Sequence, residues 1–219
     1  MDRDAAVARI KRGLGFYSGT SRDDAIVSAL QEAQRELEKG KTLPRFLLME
    51  DQTLSLAAGD IEVALPTGFL RVYEDERIRF LPTNSTIPKF LSRRLYPDAV
   101  LAYERHESGA VTVTSGEPEV YVLRQATIDF IRPANAAYSF TWSYYKKADV
   151  LSSNVENAWL ANEPEWLIGE AGARVAADLR DGDAIALFTQ IRDRARSSYL
   201  SEIVAGEEND GMFQMGANQ

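Results

Sequence analysis

Hydrophobic positions recur at helical spacing near both ends of the chain and alternate through its middle. Between Asp4 and Leu14, the residues Val7, Ile10 and Leu14 share one face, and Gly13 and Gly15 close the segment, which predicts a short first helix. Ser21-Arg22-Asp23-Asp24 resembles a capping box, with the Ser21 hydroxyl accepting from a first-turn N–H and Asp24 reaching back. From there Ile26, Leu30, Ala33 and Leu37 form an apolar stripe opposite Glu32, Arg35, Glu36 and Lys39, and Gly40 stops the helix. After Pro44 the period falls to 2. Leu54 and Leu56, then Ile61, Val63 and Leu65, alternate on either side of Ala57-Ala58-Gly59-Asp60, which predicts a β-hairpin. Phe69 to Tyr73 and Arg77 to Phe80 read as strands around the polar turn Glu74-Asp75-Glu76, and Ile87 to Leu95 reads as a short helix over the sheet.

The strand signal is strongest from Val111 to Tyr145. Glu119 to Leu123 and Thr127 to Ile131 alternate, and Pro133-Ala134-Asn135 supplies a turn. Tyr138, Phe140, Trp142 and Tyr144 then point one way, and Ser139, Thr141 and Ser143 the other, as in a half-buried antiparallel strand. Four rings at period 2 suit a core or a subunit interface, where large aromatics dominate. Beyond Leu151 the helical period returns. Asn162-Glu163-Pro164 opens a helix striped by Leu167, Ile168, Ala171, Val175 and Leu179. Asp181-Gly182-Asp183 breaks it and caps another, striped by Ala184, Phe188, Ile191, Ala195 and Tyr199, with Arg192, Arg194 and Arg196 on its outer face. Each helix should run near 20 residues, about 30 Å, and the two should pair antiparallel. From Gly206 the chain shows no period and no basic residue, and carries an apolar cluster of Met212, Phe213 and Met215. Such a segment is irregular alone and either orders by docking on a partner or is an idle terminus.

The fold class that follows is α+β: a helical bundle, made of N-terminal helices and a C-terminal helical hairpin, with a central antiparallel β-rich insertion. Residues 1–43 and 151–204 are assigned to the bundle, 44–150 to the insertion and 205–219 to a tail.

Composition adds mainly exclusions. Apolar residues make up 45% of the 219 positions and charged residues 26%, ordinary for a folded chain. No apolar run is long enough for a signal peptide or a spanning helix, so synthesis and assembly are expected in the cytoplasm, with no membrane partner. The absence of cysteine removes disulfides, thiolate nucleophiles and Cys-based metal sites. His106, the single histidine, lies in the polar stretch ERHESG, so a His-pair metal site is excluded and a Ser-His-Asp triad would have to use this one ring. Phosphate-binding glycine loops and nucleophile elbows are missing, and the carboxylate pairs Asp23-Asp24, Asp75-Glu76 and Glu207-Glu208 sit in a cap, a turn and the tail. The expectation is a protein without catalysis, cofactor or metal, whose function resides in its surfaces. A net charge of -8 argues against gripping nucleic acid, although an acidic surface beside DNA lets it pass. The first two helices invite a helix-turn-helix reading, but their basic residues are matched by acidic ones.

Landmarks in order resemble the adaptor, or head-to-tail connector, proteins of tailed phages and gene transfer agents. They are Ala64-Leu65-Pro66-Thr67-Gly68-Phe69-Leu70-Arg71 after the hairpin, then Gly116-Glu117-Pro118-Glu119-Val120-Tyr121, then Tyr144-Tyr145. Leu151-Ser152 with Asn157-Ala158-Trp159-Leu160 follow, and Pro164-Glu165-Trp166-Leu167 opens the last hairpin. The resemblance spans roughly Ser21 to Ile203, and the stretches Ile87 to Leu95 and His106 to Val113 depart from it. It implies a structural virion protein at the head–tail interface, assembled in the host cytoplasm into a homo-oligomeric ring, commonly of twelve. Such a ring lies below the portal protein and above the next tail or neck protein, and DNA passes through it without specific binding. It further implies a portal-gripping C-terminal segment, here Ile203, Val204, Met212, Phe213 and Met215. Core or subunit-interface positions would be Tyr138, Phe140, Trp142, Tyr144, Trp159, Trp166, Phe188 and Tyr199. A stopper or tail-terminator protein, a DNA-binding regulator using the first two helices, and an enzyme with an apolar pocket in the β-region stand as alternatives, in that order.

Overall fold

The structure is a computed structural model that describes residues 1–15, 22–73, 78–82, 86–97, 105–107, 110–112 and 114–216. Side chains within 105–107, 110–112 and 202–216 fall outside that description. The chain is α+β, with helices at both ends and antiparallel-rich sheets between them. It divides into two compact units, Met1–Phe46 with Ala148–Gln219, and Leu47–Lys147.

The first unit is helical. Helix α1 (Arg3–Gly13) starts where the Asp2 carboxylate accepts from the Ala5 N–H at 2.9 Å, and it buries Ala6, Val7 and Ile10. Helix α2 (Asp23–Lys39) begins after Arg22, whose guanidinium has no acceptor to offer as a cap, while Ser21 lies outside the described residues. Asp23 and Asp24 instead favour the positive end of the helix dipole. A short α3 (Ala158–Asn162) is capped by Asn157, and α4 (Pro164–Asp178) places proline in its first turn, where a missing N–H is harmless. Arg180 then takes a left-handed conformation (φ 56°), and the Asp181 carboxylate caps the next helix by accepting from Ala184 N–H at 3.0 Å.

Helices α4 and α5 (Gly182–Gly216) run antiparallel at very close range. Gly169 lies against the Arg192 backbone, and the Phe188 ring, 1% exposed, rests on Gly172 and also on Gly13 of α1. The sequence pattern expects α5 to end near 20 residues, yet it has 35, about 50 Å. The segment expected to be irregular continues the helix. Glu207, Glu208, Met212, Gln214 and Met215 are good helix formers, and Gly206 and Gly211 cost only about 1 kcal/mol each.

The second unit is built from strands: β1 (Leu48–Leu56), β2 (Glu62–Ala64), β3 (Phe69–Val72), β4 (Arg79–Phe80), β5 (Lys89–Phe90) and β6 (Ser92–Arg93). These are followed by β7 (Arg105–Glu107), β8 (Ala110–Thr112), β9 (Val120–Leu123), β10 (Thr127–Asp129) and β11 (Tyr138–Lys146). One sheet has the order β1-β11-β4-β5, with β3 also pairing β11. A second has the order β2-β10-β9-β6, and β7 and β8 pair antiparallel as a separate two-stranded sheet. Their core holds Leu54, Leu56, Ile78, Leu91, Ile128 and the aromatic row of β11.

Two expectations are corrected. The segments around Ala57 to Asp60 are not a paired hairpin: the turn forms, with Gly59 at φ 87°, but β1 enters the first sheet and β2 the second. Backbone bonds from Gly59 N–H to the Ala134 carbonyl and from Ala134 N–H to the Asp60 carbonyl hold the turn against another loop instead. Ile87 to Leu95 is not a helix but the strands β5 and β6. Its backbone bonds to distant segments, Leu91 N–H donating to the Ile78 carbonyl at 2.8 Å and Ser92 N–H to the Glu119 carbonyl at 3.0 Å, and Leu91 alone is buried in this run, where a helix lying over the sheet would bury a residue at every third or fourth position.

Candidate docking surfaces

In the helical unit the motif Asn157-Ala158-Trp159-Leu160 is held by polar groups of α2. Glu38, only 8% exposed, accepts on one oxygen from the Gln34 amide at 3.0 Å, the Ala148 N–H at 3.0 Å and the Trp159 indole N–H at 3.4 Å. Gln34 also donates to the Ala148 carbonyl at 3.2 Å, and Asn157 donates to the Gln34 amide oxygen at 3.4 Å and to the Asp149 carbonyl. The Asn157 oxygen accepts from Trp159 N–H at 2.9 Å. These bonds satisfy backbone groups of an otherwise irregular return segment, which would be costly to bury unpaired. Sequence reading missed Gln34 and Glu38. Their signal was two polar residues four apart on the inner side of α2, hidden because helix interiors are scored by apolar spacing alone.

The aromatic candidates fall into two groups. Phe140, Trp142 and Tyr144 are buried in the β-unit, and Tyr138 is half-buried with its hydroxyl donating to Asn135 at 2.6 Å. Burial raises the Tyr144 phenol pKa, and burial with the nearby Glu117 carboxylate raises that of Tyr138. Ser143, expected on the polar face, is buried because a bulge in β1 covers it and Asp51 N–H donates to its hydroxyl at 3.1 Å. In the helical unit Trp159, Phe188 and Tyr199 are buried and Trp166 half-buried. Phe46, Trp159, Trp166 and Tyr199 form a continuous series of ring contacts with centroids 5.1, 5.8 and 5.6 Å apart. Ile203, Val204, Met212, Phe213 and Met215 all lie in α5, and their side chains fall outside the described residues. His106 lies in β7, its side chain likewise outside them.

Three surfaces stand out by chemistry. The end of α2 and the facing sides of α4 and α5 enclose an open cleft of about 570 Å³ with Trp166 and Tyr199 beside Glu36, Glu170, Arg192 and Arg196. Arg192 is turned toward α4, 3.6 Å from Glu170 and 2.9 Å from Asp193, so it leaves the outer arginine face that the sequence pattern suggested, while Arg194 and Arg196 are exposed. Asp193 and Glu170 hold its guanidinium in the charged form. In the β-unit, Arg93, Arg94, Leu95 and Tyr96 are exposed beside Arg124, whose guanidinium lies 4.3 Å from the Tyr96 ring centroid. Asp60, Ile61 and Glu62, all exposed, occupy the opposite margin of the same sheet. Among the described residues no group of three or more histidines or carboxylates is placed to hold a metal ion, and no helix is long and apolar enough to cross a membrane. The cleft sets paired charges around largely buried rings, whereas the two margins of the sheet carry unlike charge, basic on one and acidic on the other, around exposed apolar groups.

Residues 1–215 match a family described as SU10 adaptor protein. No curated protein matches the chain.

Proposed function

The chain belongs to the SU10 adaptor protein family, a phage head-to-tail adaptor family, and from this we propose that it is the structural ring joining the DNA portal to the tail. The observation that carries the reading is the extent of the match, which runs through both units and along α5 to its last turn. In this reading twelve copies encircle the DNA channel in the virion neck, having assembled in the host cytoplasm. The portal lies on one side of the ring and the next neck or tail protein on the other, and no reaction is catalysed.

The end of α5 supplies the portal grip, through Ile203, Val204, Met212, Phe213 and Met215. A helix about 50 Å long can carry that apolar cluster well beyond a helix of ordinary length. The acidic balance of -8 favours free passage of the duplex, since a lumen lined by carboxylates repels a phosphate charge met about every 1.7 Å of axis. The experiment is the solution mass of the purified chain with and without its co-encoded portal, by light scattering on a sizing column. A ring-sized complex that requires the portal, weakened by deleting 206–219, is the expected result. A monomer indifferent to the portal would sink the reading.

A further inference from the structure

The sheet β2-β10-β9-β6 carries opposite charge on its two outer strands. On the β2 side Asp60 and Glu62 flank Ile61, which is 44% exposed. On the β6 side Arg93 and Arg94 precede Leu95, 74% exposed, and Tyr96, 49% exposed. Arg124, paired with Asp129 at 2.6 Å, adds a third guanidinium there, and the same residues border an open cavity of about 380 Å³. We propose that these margins are two halves of one contact, in which the Asp60-Ile61-Glu62 edge of one copy docks on the Arg93-Arg94-Tyr96 edge of the next. The inference rests on the ring reading above and gives it a surface.

Charge decides the direction of pairing. A chain with net charge -8 repels its copies unless a local basic patch meets an acidic one. Like margins cannot self-associate, because two copies joined through Arg93 and Arg94 would set four guanidinium groups together, and joining through Asp60 and Glu62 would do the same with carboxylates. Only the unlike pairing remains, and it is heterologous: each copy keeps one unused margin of each kind, so association continues until rotation closes a ring. Both margins belong to one sheet, about 14 Å across from three inter-strand spacings, so their mutual geometry is fixed within each copy. The ion pairs set orientation and encounter rate, and Ile61 against Leu95 and Tyr96 gives the contact its apolar centre.

Paired charge reversals test this by light scattering in the presence of portal. Arg93→Glu with Arg94→Glu, and separately Asp60→Lys with Glu62→Lys, should each raise the concentration needed for assembly about a hundredfold. An equimolar mixture of the two variants should assemble again, because every contact in an alternating ring is then complementary. A variant that fails to fold is bypassed by cysteines: the chain has none of its own, so Glu62→Cys with Arg93→Cys should give a ladder of disulfide-linked multimers under oxidation, and either substitution alone no more than dimers. Assembly unchanged by either reversal, or no ladder from the double cysteine variant within wild-type-sized rings, overturns the contact and leaves the ring standing. Reversal of Arg93 and Arg94 that spares assembly but abolishes a duplex-DNA mobility shift assigns the patch to DNA and also overturns it. A wild-type chain that stays monomeric with portal overturns the ring itself.

Discussion

Glu38 lies where a helix would ordinarily bury an apolar side chain, and it holds the return segment by accepting three N–H donors on one carboxyl oxygen. Removing it leaves the Trp159 indole and the Ala148 amide without that acceptor inside the protein. An unsatisfied buried donor costs about 1–3 kcal/mol, so Glu38→Ala should destabilise the chain by roughly 2–4 kcal/mol, read as a lower urea midpoint at unchanged slope. Glu38→Gln keeps an acceptor oxygen and should lose less than half as much. Equal losses from both variants would show that charge, not hydrogen bonding, is what Glu38 supplies. The companion residues Gln34 and Asn157 are also buried, so the landmark Asn157-Ala158-Trp159-Leu160 serves to fasten the chain where it re-enters the helical unit.

Among the elements, the pairing of α4 with α5 depends on two glycines that a stripe of larger residues does not reveal. A Cβ at Gly169 would lie 2.6 Å from the Arg192 backbone nitrogen and 2.8 Å from its Cα, so Gly169→Ala must push the helices apart. Despite the higher helix propensity of alanine, the substitution should destabilise by about 1–3 kcal/mol, as overpacking does, and lower the thermal midpoint. A neutral or stabilising outcome would mean that the helices are not in such close register. Gly13 shows the same limit from the other side. Read along the chain it is a helix stop, while in the fold it is also the floor under Phe188, a relation between residues 13 and 188 that no local pattern carries.

For the molecule as a whole, the path of the chain matters most. It enters and leaves the β-unit through neighbouring strands, since Leu48 of β1 pairs with Tyr145 of β11. Paired residues lie about 5 Å apart, a gap that a very short linker spans. Replacing residues 48–146 by a few glycines and serines should therefore leave a cooperatively unfolding helical unit, and Leu47–Lys147 alone should fold around its own core. Circular dichroism and thermal unfolding of the two products check this. Loss of cooperative unfolding in either would show that the units depend on one another.

Local periodicity was enough to indicate an α+β chain with helices at both ends, the β11 alternation from Tyr138 to Trp142, the start of α4 at Pro164 and the break at Asp181, because each depends on neighbours within one or two turns. The family was readable too, from landmarks whose order survives without coordinates. Tertiary structure decided what depends on distant partners. It separated β1 and β2 into different sheets, since the Gly59 turn is held by Ala134 rather than by the facing strand. It drew Ile87 to Leu95 into two strands, since Leu91 N–H bonds the Ile78 carbonyl and Ser92 and Arg93 pair with β9. It buried Gln34 and Glu38, and it placed Asp60 to Glu62 and Arg93 to Tyr96 on opposite margins of one sheet. A side chain's spacing fixes which face of its own element it takes, whereas what that face meets depends on segments tens of residues away, whose pairing is chosen by the packing free energy of the whole fold.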